Sequence, residues 1–125
     1  AEVLANAGYD IEIVEKHHNQ KLDAPSGTAI ALADAINKAL NNEYFYKYDR
    51  STERAKRSDK EIGISAVRGG TIVGEHEIFY CGQDEVVTIK HTAYSKAIFG
   101  KGAVQAAKFL AGKENGFFDM SNVIG

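Results

Sequence analysis

Between Tyr9 and Leu40 the apolar residues of this chain change period, and that change limits what can be built around it. From Tyr9 to Glu15 they alternate: Ile11 and Ile13 face one side, Asp10, Glu12 and Val14 the other, which is the period of a strand. From Thr28 to Leu40, Ala29, Leu32, Ala33, Ile36 and Leu40 fall on one helical face. The two segments meet at Pro25-Ser26-Gly27, a turn before a helix. A strand that feeds an amphipathic helix requires a sheet with a helical layer.

The rest of the chain extends that pattern. Residues 2–7 predict the end of a helix, stopped by Gly8. Residues 43–61 are polar and charged and predict a solvated connector. Ile62–Arg68 predicts a strand, Gly69-Gly70 a hairpin turn, and Thr71–Tyr80 a second strand with Gly74 inside it as a bulge. Gly82-Gln83-Asp84 turns the chain into Glu85–Ala93, and Ala97–Ala111 predicts a helix stopped by Gly112. The tail "ENGFFDMSNVIG" has no regular period. The order β-α-β-β-β-α predicts one α+β domain over 1–125, a mixed, mostly antiparallel four-stranded sheet with two main helices on one face. The strands are apolar on both alternating sets: Ile72, Ile78 and Tyr80 against Val73 and Phe79, Val87 and Ile89 against Val86. Two helices cover one face, so the other predicts a homo-oligomer joined through the sheet and not through 43–61.

Composition removes several classes of function. A net charge of −2 over 125 residues supplies no basic field for nucleic acid or anionic lipid. One cysteine, Cys81, excludes an internal disulfide and suits a reducing compartment, here the cytoplasm. No apolar run reaches the roughly 18–20 residues needed to span a bilayer, and no signal peptide is visible. The chain starts Ala-Glu-Val-Leu, without Met, which suggests an excised or trimmed N-terminus.

The stretch "EKHHNQKLDAPSGTA", residues 15–29, concentrates the chemistry. His17 and His18 sit at the C-terminal end of the first strand, and Lys21 follows four residues after His17. Imidazole suits proton transfer near neutral pH, and an ammonium group donates a proton or holds a carboxylate. Ser26-Gly27-Thr28 opens a helix, where unpaired N–H groups and the positive dipole end favour an anion. Plainer readings stand beside this one. Ser26 or Thr28 is a common helix cap, and a histidine pair at a strand end is commonly surface. A zinc site from His17, His18 and Asp23 lacks a usual ligand spacing, and a Ser26 nucleophile lacks the Gly-x-Ser-x-Gly frame. The residues by themselves stop at an anion site beside proton donors, with no metal.

The run "EIVEKHHNQKLDAPSGTA", Glu12 to Ala29, closely resembles the signature of the dihydrodipicolinate reductase family. "RGGTIVGEHEI" from Arg68, "IKHTAYSKAIFGKGAVQAAKFL" from Ile89 and "GFFDM" from Gly116 resemble its later segments, so the likeness spans nearly the whole chain. Members begin with a dinucleotide-binding Rossmann domain and its glycine fingerprint. Here Gly100-x-Gly102 lies within or before a helix and runs on to Gln105 where a third glycine would fall. The resemblance therefore implies the C-terminal substrate-binding and oligomerisation domain alone, with the Rossmann domain outside residues 1–125.

It further implies an oxidoreductase of diaminopimelate and lysine biosynthesis, passing a hydride from NADPH or NADH to a small cyclic unsaturated dicarboxylate. The complete enzyme would use that cofactor, and this chain would not bind it tightly. By the same resemblance His17 and Lys21 are the catalytic pair, with Lys21 the proton donor. His18, Lys21 and Ser26-Gly27-Thr28 match substrate-holding positions. The family's basic residue after the third strand corresponds to Lys96, which keeps the charge but loses a two-pronged carboxylate geometry. Glu75, His76 and His91 suit structural roles. The resemblance implies a tetramer. Two readings from other classes remain: an oligomerisation module without activity, and a small-anion-binding domain without redox chemistry.

Overall fold

A computed structural model describes residues 1–125. Its elements are α1 (Glu2–Asn6), β1 (Asp10–His17), α2 (Gly27–Ala39), β2 (Phe45–Lys47), β3 (Glu61–Arg68), β4 (Gly74–Gly82), β5 (Glu85–Ala93), α3 (Ala97–Leu110) and α4 (Met120–Ile124). They form two compact units, Ala1–Thr92 and Ala93–Gly125. The α+β class holds, but the sheet does not match the expected one. It has five strands in the order β2-β3-β1-β4-β5. β1–β3 and β2–β3 are parallel and β1–β4 is antiparallel, so it is mixed and not mostly antiparallel.

Two local causes explain the correction. The first lies in 43–61, which is not simply a solvated connector. Asn37 near the end of α2 donates to the Tyr44 carbonyl and accepts from the Tyr44 N–H, both at 3.0 Å, and so steers the chain back to the sheet. Phe45–Lys47 then adds to β3 as the extra strand, in register with Glu61–Gly63. The charges beyond it are held in place. Arg57 donates to the carbonyls of Ile11 and Glu61 at 2.6 and 2.8 Å and pairs with Asp10 and Glu12.

The second cause is that β1 lies between β3 and β4, so Gly69-Gly70 cannot join them as a hairpin. The glycines instead carry the chain past the end of β1. Gly69 N–H donates to the His17 carbonyl at 3.0 Å and Asn19 N–H to the Gly70 carbonyl at 3.1 Å. Gly70 has a φ of +50°, which favours glycine. β4 begins at Gly74, so Ile72 and Val73 precede the strand and Gly74 is its first residue, not a bulge within it. The turn at Gln83-Asp84 is as expected and makes β4 and β5 an antiparallel hairpin.

Ile11, Ile13, Ile62, Ile64, Ile78 and Tyr80 on the sheet and Ala29, Ala33, Ile36 and Leu40 from the α2 segment form the core. Each fully buried isoleucine contributes about 1.5–3 kcal/mol. α2 is the helix that packs on β1. α3, expected on the same face, belongs to the second unit and has no buried residue. Val86, Val87 and Ile89 on β5 are exposed. In the second unit Gly112, at a φ of +79°, follows the end of α3. The tail, without a visible period, nonetheless forms α4, because Asp119 and Asn122 cap it reciprocally. No helix is long and apolar enough to cross a membrane.

One glycine has a packing role. A Cβ at Gly63 would lie 1.8 Å from Glu12 Oε2, and that carboxylate is held by Arg50 and Arg57. Gly63→Ala should move the flexible Glu12 carboxylate off both arginines and destabilise the fold by about 0.5–1 kcal/mol, the scale of partly exposed ion pairs. Denaturant melting checks this, and an unchanged midpoint would contradict it.

Candidate active site

The core stripe of each central strand ends in a polar residue, and the register brings these ends together. On β1, Ile11 and Ile13 are followed on the same face by Glu15 and His17; on β3, Ile62 and Ile64 by Ala66 and Arg68; on β4, Tyr80 and Ile78 lead back to His76. Glu15 lies opposite His76, and His17 opposite Arg68. Glu15 is 0% exposed, a carboxylate at a position where the alternation calls for an apolar side chain.

Its partners account for it. Arg68 Nη2 donates to Glu15 Oε1 at 2.7 Å and Nη1 to Oε2 at 3.0 Å, a two-pronged pair. His17 Nδ1 is hydrogen-bonded to the same Oε2. Burial pushes the Glu15 carboxyl up, but the hydrogen bonds from Arg68 and His17 outweigh it and hold it below the ordinary carboxylate range. The carboxylate is therefore ionised and takes a proton donor from His17, which places the Nδ1 hydrogen on the ring.

His76 stands edge-on to His17, with ring centroids 5.2 Å apart. Its Nε2 is 3.0 Å from Ser26 Oγ. Burial lowers the His76 pKa first, and the neighbouring His17 adds to that, which favours the neutral ring. Ser26 is buried and is the N-cap of α2, its Oγ accepting from Ala29 N–H at 3.1 Å. The capping reading is thus correct, and the hydroxyl also anchors His76. Beyond it Gly27 and Thr28 are exposed, and their N–H groups, at the start of a 13-residue helix, donate to no protein acceptor. A Cβ at Gly27 would meet nothing within 4 Å, so the approach to these donors is open.

Lys21 lies on the loop between β1 and α2, with Nζ 2.9 Å from Asp23 Oδ1. That contact first of all lowers the Asp23 pKa. Arg68 Nη2 donates to the Asp23 carbonyl at 2.9 Å and ties this loop to the strand ends. His18 Nδ1 accepts from the Gln20 N–H at 3.3 Å. The first unit thus brings His17, Lys21 and the Ser26-Gly27-Thr28 helix start into one linked region. Lys96 is exposed at the N-cap of α3 in the second unit.

Glu15 and Arg68 carry no role in the sequence reading, and His76 only a structural one. The signal for Glu15 was its parity: it shares the face of Ile11 and Ile13. Glu15, His17 and His76 offer ligand atoms within 4.8 Å of one another. The Glu15 oxygens are taken by Arg68 and by His17 Nδ1, His76 Nε2 by Ser26, and the guanidinium already balances the carboxylate, so these contacts read as a hydrogen-bond network. His18 and Asp23, the other residues weighed for zinc, are engaged by Gln20 and Lys21.

The family described as dihydrodipicolinate reductase, C-terminus, matches residues 1–124. The 4-hydroxy-tetrahydrodipicolinate reductase of Caldanaerobacter subterraneus subsp. tengcongensis is 56% identical over 117 residues, 94% of this chain and 47% of that protein. The protein of that name from Methanosarcina mazei is 52% identical over 120 residues, 95% of this chain and 44% of that protein. This chain spans about half the length of the curated relatives it matches. Among solved structures, the dipicolinate-bound dihydrodipicolinate reductase of Paenisporosarcina sp. TG-14 aligns with a TM-score of 0.60 at 28% identity, covering 82% of this chain and 41% of that one.

The network predicts acid sensitivity. A native pKa lowered below its unfolded value contributes stability that is present above the unfolded pKa and lost as pH falls. For His76 the loss begins below 6.5, and for Glu15 below 4.5. Stability should therefore decline as pH falls below 6.5 and decline again below 4.5, and His76→Gln should flatten the first step. Thermal melting across pH reads this out, and an acid limb unchanged by His76→Gln would contradict it.

Proposed function

Because this chain belongs to the dihydrodipicolinate reductase family as its C-terminal part, we propose that it is the substrate-binding and oligomerisation region of a 4-hydroxy-tetrahydrodipicolinate reductase in diaminopimelate and lysine biosynthesis. The substrate is a small cyclic unsaturated dicarboxylate. The observation that carries the reading is the open pair of helix-start N–H groups at Gly27 and Thr28 in a region that also holds Lys21 and His17. One carboxylate docks on those N–H groups, where donors and dipole favour an anion. Lys21 leaves Asp23, an exposed partner worth little, for the dianion. His18 borders the same loop.

The hydride is supplied by NADPH or NADH in the complete enzyme. These residues do not form its cradle: Gly100 and Gly102 lie inside α3, not in a strand-to-helix turn. When a hydride adds to one end of the unsaturated system, the displaced electron pair takes a proton at the other. Lys21 donates that proton, and His17 returns one to the neutral Lys21 amine, in the manner of general acid catalysis. Dipicolinate, the planar dicarboxylate bound to the related reductase of Paenisporosarcina sp. TG-14, is the natural probe of the site. The exposed valines and isoleucine of β5 support assembly of copies through the sheet, as a tetramer.

The test is steady-state kinetics of the full-length protein. Lys21→Ala should lower kcat by about 10²–10⁴-fold, and His17→Ala should lower it less. Near wild-type kcat in both variants would overturn the assignment.

A further inference from the structure

We infer that Glu15 and Arg68 are positioning residues: together they lock the His17 ring with its proton on Nδ1 and its Nε2 facing the site, and Arg68 holds the Lys21 loop at a set distance from that ring. This deepens the proposed reaction and rests on it, since His17 and Lys21 are read there as the proton-handling pair.

The arrangement is costly unless it has such a use. A carboxylate at 0% exposure and a guanidinium must both be removed from water, and an apolar pair of similar size would hold a fold as well or better. β1 places apolar side chains at the two preceding positions of the same face, Ile11 and Ile13, so the fold itself does not call for charge at 15. The Glu15 oxygens are divided: Oε1 takes Arg68, while Oε2 takes both Arg68 and His17 Nδ1. With both oxygens held by the two-pronged pair, the carboxylate cannot rotate away from the imidazole. His17 can then gain or lose a proton only at Nε2. That atom is kept clear by Gly74, where a Cβ would lie 3.2 Å from it.

The same guanidinium reaches the other half of the site. Arg68 Nη2 donates both to Glu15 Oε1 and to the carbonyl of Asp23, the residue whose side chain holds Lys21. One rigid fork therefore connects the strand end that carries His17 with the loop that carries Lys21. A lysine at 68 would keep the charge and lose this division of donors.

The experiment uses the full-length protein with ¹⁵N-labelled histidine. Removal of one partner alone leaves a buried charge unpaired, so the informative variant is the paired Glu15→Met/Arg68→Met, with Arg68→Lys as the conservative second. The wild-type His17 ring should show a protonated Nδ1 and an unprotonated Nε2 at mildly alkaline pH. The paired variant should fold, show mixed tautomers at His17, and lose kcat by about a hundredfold, the cost of a misplaced catalytic group. KM should change much less. Arg68→Lys should fall between. A wild-type His17 protonated on Nε2, or a paired variant with unchanged tautomer and kcat, would overturn the inference. A shift in melting temperature alone would assign the pair a merely structural role and also overturn it. If the wild-type protein showed no reductase turnover, the proposed function would fail, and the tautomers of His17 would still decide whether Glu15 locks the ring.

Discussion

The pairing of Glu15 with Arg68 at the end of the core is the interaction on which the rest of the site depends. It converts three apolar strand faces into a polar rim without leaving an unpaired charge in the interior. Parallel pairing of β1 with β3 sets Arg68 beside His17, and antiparallel pairing with β4 sets His76 beside Glu15. A slip of one residue in either register would turn these side chains to the opposite face. The isoleucine core therefore does more than stabilise. By holding the register it fixes where imidazole, guanidinium and carboxylate meet.

α2 completes the arrangement from above the sheet. Its apolar face seats Ala29, Ala33 and Ile36 on the core, and this brings its N-terminus over the rim. Ser26 then serves two ends at once, capping the helix and meeting His76. The next two N–H groups are left for an external anion. The helix start and the strand-end rim thus share one scaffold, with Ser26 as the joint between them.

Much of this was visible in the residues, and what was hidden has physical causes. The alternation at Tyr9–Glu15 and the helical period after Thr28 placed β1 and α2, and put His17 at a strand end, as the structure has it. β2 escaped because a three-residue edge strand has no room for a period, and its anchors, Asn37 on Tyr44 and Arg57 on β1, are long-range. Strand neighbours escaped because Gly69-Gly70 suits a hairpin locally, while the insertion of β1 between β3 and β4 is a property of the whole sheet. His17 and Lys21 stood out as residue types. Glu15 did not, because an acid beside lysine and histidine reads as surface until the register buries it.

The central claim is that the strand-end rim and the start of α2 form one dicarboxylate site. A crystal structure of the full-length protein with dipicolinate tests it most directly. One carboxylate should lie on the Gly27 and Thr28 N–H groups, with Lys21 moved from Asp23 onto the ligand and His17 still bound through Nδ1 to Glu15. Dipicolinate bound elsewhere, with Lys21 remaining on Asp23, would contradict it.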